Sequence, residues 1–331
     1  MRTLEAGLLE EVHELLDSEL TQSRREMLND GDPASAHRRV RIALNDVLGR
    51  LTGLDEAIGA DANRRTATAW RERFRRRAYE WISLGDLCYW ALAKPYNYAG
   101  DYRVIELIHD HDDEVSSFGK ILDNCFYETE GPQAVPTRRR FVSERVTQHV
   151  RELNRPVTIA NIGCGAAREA QDVVRAGLPA GSTHILIDTE PDALEVATTR
   201  LGPEASFEVR HENVLHYIRS PHDDLVPFLG RQVDVLYSVG VMDYIPERLF
   251  RALLPKLFRT LKPGGLCIIG NFDPSNESRA FMEWFLDWNL EYRTRDQLLG
   301  ALTEMCPEAE DVQCVDGGTR VNHFLTFRRE S

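Results

Sequence analysis

Residues 157–168, reading VTIANIGCGAAR, constrain this chain more than any other stretch. The apolar run from Val157 to Ile162 predicts a buried strand. Gly163-Cys164-Gly165 predicts a tight turn, and a helix is expected to open from about Ala167. A strand that runs through a glycine turn into a helix forms the ligand-binding corner of a doubly wound α/β sheet. Glycines there let the backbone approach a ligand with no Cβ in the way. The dinucleotide pattern G-x-G-x-x-G fails at its third glycine, which is Arg168, so a bound pyrophosphate is not expected.

Beyond this corner the pattern repeats. Strands are predicted at 184–187, 207–210, 233–238 and 266–270, with helices at 191–201, 214–219 and 247–261 between them. Such βα alternation implies a parallel sheet. A long helix at 278–291 and a shorter one at 295–305 follow. Two last strands, near 311–315 and 323–328, flank Asp316-Gly317-Gly318, which predicts an antiparallel pair at one edge.

The first 130 residues read as helical. Leu8, Leu9, Val12, Leu15 and Leu16 recur at helical spacing. A second helix is predicted at about 34–54, a break at 59–63, and a third helix at 66–92. The basic run from Arg71 to Arg77 is expected to be a solvated face, because the chain carries a net charge of -13. The same charge argues against a nucleic-acid partner. Residues 127–138 contain two prolines and a glycine and read as a linker, which places a domain boundary between 1–135 and 136–331. Pro95-Tyr96-Asn97-Tyr98-Ala99-Gly100-Asp101-Tyr102 precedes it. One reading is a turn with Asp101 capping the next helix. The other is a polar, aromatic lid, with Tyr96, Asn97 and Tyr98 facing a substrate and Tyr102 a cofactor.

Hydrophobic residues make up 42% of the chain, enough for a sizeable core. No apolar run is long enough to span a bilayer, and the acidic, amphipathic N-terminus does not read as a secretory signal. The six cysteines form no C-x-x-C pair, so reduced thiols in a cytoplasm are expected and a metal site is not. The N-terminal helices read as either a homodimer module or a packing module, and the partner of the site is expected to be a small molecule.

Ligands of an open parallel sheet lie at the carboxyl ends of its strands. Those ends carry Asn161, Gly163 and Gly165; then Asp188, suited to two ribose hydroxyls, with Glu190 beyond it. Next come Asn213, a donor and acceptor for an adenine edge; Ser238, Gly240, Asp243 and Tyr244; and finally Asn271 and Asp273.

In this order the series resembles the class I S-adenosylmethionine-dependent methyltransferases, over about residues 139–331. The resemblance implies a Rossmann-like seven-stranded sheet behind an N-terminal helical domain, with S-adenosyl-L-methionine as cofactor. It implies that 161–166 lines the methionine moiety, Asp188 holds the ribose and Asn213 meets the adenine. Ser238 to Tyr244 (SVGVMDY) would approach the sulfonium and the acceptor. Asn161 departs from an acidic residue frequent in that family, and Ala167 from a third glycine. The stretches PYNYAGDY and GNF…SRAFMEWFLDWNLEYRT are similar to a narrower bacterial branch. It includes synthases of 3-hydroxy fatty acid methyl esters and the free-arginine N-methyltransferase of streptozotocin biosynthesis.

In the predicted helix at 278–291, Glu283, Asp287 and Glu291 fall four apart and form one acidic stripe. The stripe either faces water or places Glu283 or Asp287 beside Asp243 to bind a cation. With Tyr244, these acids are the candidate catalytic groups, and Asn271 joins the substrate side. The acids favour N-methylation of a small cationic metabolite, free L-arginine being the specific expectation. Carboxyl O-methylation of a hydroxy fatty acid, with a basic anchor, is the alternative, and a non-catalytic cofactor-binding module is a third.

Overall fold

The computed structural model describes residues 2–59, 64–203 and 205–330. The chain divides into two units: Met1–Gln133 with Glu277–Asn289, and Ala134–Asn276 with Leu290–Ser331. A boundary at 135/136 therefore separates the units only if 277–289 is moved to the first of them.

The first unit contains α1 (Arg2–Asp30), α2 (Pro33–Gly59), α3 (Arg64–Ile82), α4 (Asp86–Ala93), α5 (Tyr102–His109) and α6 (Phe118–Tyr127). Residues 60–63, most of the predicted break, lie outside the described residues. Leu9, Val12, Leu16 and Leu20 of α1 are buried, as are Val40, Leu44, Val47, Leu51 and Leu54 of α2. These three- and four-residue steps give each helix one apolar seam, and the short connection makes the pair a helical hairpin. Asp32 caps α2 by accepting from the amides of Ala34 and Ser35.

The single helix expected over 66–92 is broken at residues 83–85. A Cβ at Gly119 would stand 1.7 Å from the Leu84 carbonyl oxygen, and one at Gly85 would stand 2.3 Å from Asp123 Oδ1. Two glycines thus let backbone pass over the first turn of α6. Asp123 then accepts from the amides of Leu87 and Cys88 at the start of α4.

The helix expected over 278–291 is not formed. Only a π-turn at Phe281–Phe285 appears, and Asp287 adopts φ +50. Phe281, Met282, Trp284, Phe285, Leu286 and Trp288 are all buried. Apolar groups thus surround the segment, leaving no wet face for a regular amphipathic helix. Its acidic stripe is dissolved with it.

The second unit holds most of α7 (Glu130–Leu153), which includes the residues read as a linker. Pro132 falls in its first turn, where no amide is required, so only Pro136 interrupts the helix. Then come β1 (Thr158–Ile162), α8 (Arg168–Arg175), β2 (Thr183–Asp188), α9 (Pro191–Leu201), β3 (Phe207–His211), α10 (Val214–Arg219) and α11 (Val226–Leu229). They are followed by β4 (Val233–Ser238), α12 (Glu247–Thr260), β5 (Leu261–Phe272), α13 (Arg295–Met305), β6 (Ala309–Val315) and β7 (Asn322–Arg329). The sheet runs β3-β2-β1-β4-β5-β7-β6. Its first five strands are parallel, and β7 inserts antiparallel between β5 and β6.

Both faces of the sheet are covered. Val142, Val146 and Val150 of α7 pack with Ile159, Val235, Tyr237 and Ile268 on one side. Phe250, Leu253, Leu254 and Leu257 of α12 pack with Ala160, Ile162, Leu236 and Ile269 on the other. This double burial is why the central strands read as unbroken apolar runs. The strand order reverses between β1 and β4, which opens a crevice beside the β1 turn.

Gly119→Ala tests the crossing over α6. Its methyl meets a backbone carbonyl that has no side chain to swing aside, so stability should fall by more than about 2 kcal/mol, as overpacking does. Thermal unfolding of the variant checks this; Gly49→Ala, with open space at its Cβ position, is the control.

Candidate active site

The β1 turn is built by backbone geometry. Gly163 and Gly165 take φ +72 and +49. The amides of Gly163 and Cys164 donate to the Ile187 carbonyl at 2.8 and 3.0 Å. A Cβ at Gly163 would lie 2.1 Å from Val241 Cγ2, so the β4 loop closes over a bare backbone. Asp188, at the end of β2, accepts from Gly165 N at 2.7 Å and from Glu190 N at 3.0 Å. Burial pushes its carboxyl above the usual range, against bonds from the Gly165, Glu190 and Thr189 amides. A carboxylate has about four acceptor positions, so Asp188 fits a ribose hydroxyl as well as the turn it fixes. Glu190 is 3% exposed and sits at the N-cap of α9.

Other residues named from the sequence are placed differently. Asn161 is buried on β1 in register with Tyr237, on the strand face that packs against α7, not at the turn. Ser238 is fully buried, and its hydroxyl donates to the Ile162 carbonyl at 2.9 Å, bracing β4 to β1 across the crevice. Asn213 caps α10 by accepting from Leu215 N at 2.8 Å, so its oxygen is already engaged by the helix. Asn271 is fully buried. Its oxygen accepts from Arg293 at 2.6 Å and its amide donates to the Glu291 carbonyl at 2.9 Å, so it holds chain segments together and is not presented to a substrate.

Asp243 follows β4 in a short 3-10 turn, Met242–Tyr244. It is 3% exposed and accepts from Phe272 N at 2.7 Å. Burial pushes its pKa up to about 6, against the Phe272 bond and the positive charges of Arg138 and Arg293. Among the described residues it forms no ion pair. Tyr244 lies in the same turn and is half-buried. Asp273, by contrast, is paired with His323 at 2.8 Å.

Two basic residues complete this end of the sheet, and neither was foreseen. Arg293 donates to the Met242 carbonyl, the Ile245 carbonyl and Glu247 as well as Asn271. Arg138, on α7, is 8% exposed, and its Nη1 and Nη2 lie 3.5 and 3.6 Å from where a Gly240 Cβ would stand. Each stands in a tract of like composition, TRRR and EYRTR, which carries no local signal of a role.

The remaining candidates belong to the first unit. Tyr96 and Tyr102 bring their rings to 5.6 Å, and Asn97 takes φ +74. Asp101 caps α5 through Val104 N at 3.0 Å and accepts from Trp90 Nε1, which realises the turn reading. Glu283 pairs with Arg71 at 2.5 Å and Arg279 at 2.8 Å. Asp287 pairs with Arg75 at 3.0 Å and with Lys94. These acids are neutralised within their own unit, which corrects their assignment as free catalytic carboxylates. It also corrects the basic run: Arg71 and Arg75 are 15% and 11% exposed and turned inward.

No metal-binding cluster of His, Cys, Asp or Glu occurs among the described residues, and no helix there is long and apolar enough to cross a membrane.

Residues 160–269 match the family of the methyltransferase domain. No curated protein matches the sequence. Among solved structures, a possible exported protein from Bordetella parapertussis is similar at 19% identity over 79% of this chain and 96% of that one, with a TM-score of 0.58. The N-methyltransferase NodS from Bradyrhizobium japonicum WM9, in complex with S-adenosyl-L-homocysteine, is similar at 17% identity over 70% and 98%, with a TM-score of 0.42. Magnesium protoporphyrin IX methyltransferase from Synechocystis PCC 6803 is similar at 12% identity over 67% and 88%, with a TM-score of 0.45. With that sheet order and glycine turn, residues 160–269 form a methyltransferase domain of class I fold, the kind whose cofactor is S-adenosylmethionine.

Proposed function

We propose that this enzyme methylates a small nitrogen nucleophile, with Asp243 taking the proton released, and that free L-arginine is the specific candidate acceptor. The observation that supports this is Asp243 itself: a buried acid at the carboxyl end of β4, outside any ion pair, with its pKa raised to about 6. A group with that pKa is ionised at neutral pH and still accepts a proton at modest cost. When bound, S-adenosylmethionine supplies a methyl group on a sulfonium, a strong electrophile. The chain's part is then to orient the acceptor lone pair and remove a proton. A guanidinium, with a pKa above ~12, needs a carboxylate to hold it and to share its proton. Glu283 and Asp287 are spent in ion pairs, so that task falls to Asp243 alone.

Carboxyl O-methylation is the second reading. It is favoured by Arg138, a buried guanidinium beside Gly240 that is suited to orient an acceptor carboxylate.

Turnover with S-adenosylmethionine, followed by mass spectrometry, on L-arginine and on a 3-hydroxy fatty acid in parallel, decides between them. N-methylarginine is the expected product; a methyl ester in its place would sink the first reading.

Asp243 also predicts a pH signature. An acid whose folded pKa is raised holds its proton in the folded chain after the unfolded chain has released it near 3.9. Stability is therefore lost as pH rises from about 4 through about 6, by about 3 kcal/mol for two pKa units. Asp243→Asn should melt higher than the parent at pH 8, with about a third of that gain at pH 4.5, while its turnover at pH 8 falls at least about tenfold. Equal melting differences at both values would show that Asp243 does not titrate in this range.

A further inference from the structure

We propose that Arg138 is the carboxylate receptor of the active site, the carboxylate being either that of the amino-acid end of the cofactor or that of the acceptor. The inference rests on the methyltransferase reading. Arg138 is 8% exposed, and among the described residues no hydrogen bond or ion pair engages its guanidinium; Nε is buried with no partner there. A guanidinium carries five N–H donors, and buried donors are almost always bonded. A cation left so is an uncompensated cost to the fold unless something outside the chain answers it.

The position says what answers it. Nη1, Nη2 and Cζ lie 3.5, 3.6 and 3.8 Å from the Cβ position of Gly240, in the loop after β4. The absent side chain at Gly240 leaves the edge of the guanidinium uncovered there. The next residue, Val241, is the one that closes over Gly163 of the β1 turn, so Arg138 stands beside the crevice where the strand order reverses. Asp243 feels the charge of Arg138 but, among the described residues, makes no ion pair with it, and its Oδ1 accepts from Phe272 N. A planar, forked, permanently charged donor in such a place matches a carboxylate in two-point contact, and a lysine would not match it equally. At the same edge Asn322 is 1% exposed with neither side-chain atom bonded, a further polar group with capacity to spare.

The test is calorimetric binding of two nucleosides to the full chain and to Arg138→Met and Arg138→Lys. S-adenosylhomocysteine carries the amino-acid carboxylate; 5′-methylthioadenosine keeps the nucleoside and lacks that end. A loss of about ten- to a hundredfold for S-adenosylhomocysteine in Arg138→Met, with methylthioadenosine affinity kept and part of the loss recovered in Arg138→Lys, assigns the carboxylate to the cofactor. Both nucleoside affinities kept, with a similar loss for L-arginine or 3-hydroxydecanoate titrated onto the S-adenosylhomocysteine complex, assigns it to the acceptor. Equal losses for both nucleosides overturn the proposal and make Arg138 a packing residue, as does the absence of any loss. If the parent chain binds neither nucleoside, the methyltransferase reading fails first, and that result is distinct from the others.

Discussion

The site end of the sheet depends on the Arg293 guanidinium. It is 3% exposed, and its nitrogens meet two carbonyls of the turn after β4, the oxygen of Asn271 at the end of β5, and Glu247 at the start of α12. Its Cζ lies 4.2 Å from the centre of the Phe250 ring. An ion taken out of water costs several kcal/mol, and only a complete set of charge-assisted bonds offsets that. Arg293 comes close to completing it. The turn that carries Asp243 is consequently shaped by a side chain far along the sequence. The loop that carries Asp243 is thus held as firmly as the strands beside it.

Charge is distributed unevenly over the molecule. In the first unit Asp55, Glu283 and Asp287 are answered by Arg71, Arg75 and Lys94. Their work is to fix the segment Glu277–Asn289 among the helices of its own unit. In the second unit Asp234, at the amino end of β4, is answered by Arg155 and Lys262. Beyond the carboxyl end of the same strand, Asp243, and Arg138 of α7 beside Gly240, make no ion pair among the described residues. Ionisable groups held in this state are costly to a fold and are characteristic of functional sites.

What the sequence made legible follows from what is local. The strands of the sheet could be read because burial on both faces makes them short apolar runs, and the β1 turn because its glycines and Asp188 act at fixed spacing. The closing pair was legible from Gly317-Gly318, although nothing local reveals that β7 would insert between β5 and β6. Where long-range contact decides, the reading failed. The helix at 278–291 gave way because aromatic residues all round it are buried, and α3 and α4 part because Gly85 and Gly119 meet in space. Prolines at 132 and 136 suggest a linker, yet one of them costs a helix nothing in its first turn. The acids Glu283 and Asp287 looked available because their partners, Arg71, Arg75 and Lys94, lie some two hundred residues upstream. Arg138 and Arg293 were invisible because each stands in a tract of similar residues, and only the folded chain brings them to the end of the sheet.

The two unpaired charges also act on each other. The positive charge of Arg138 helps hold the Asp243 pKa down against its burial. A carboxylate bound at Arg138 cancels that charge, and the pKa of Asp243 then rises further. By linkage, protonation of Asp243 and occupation of Arg138 favour each other, since each removes a charge the other has lost its reason to oppose. The two sites are therefore coupled: an anion seated at Arg138 raises the proton affinity of Asp243 and shifts its titration toward neutral pH. On the proposed reading, this coupling needs only one buried guanidinium and one buried carboxyl, with no moving part.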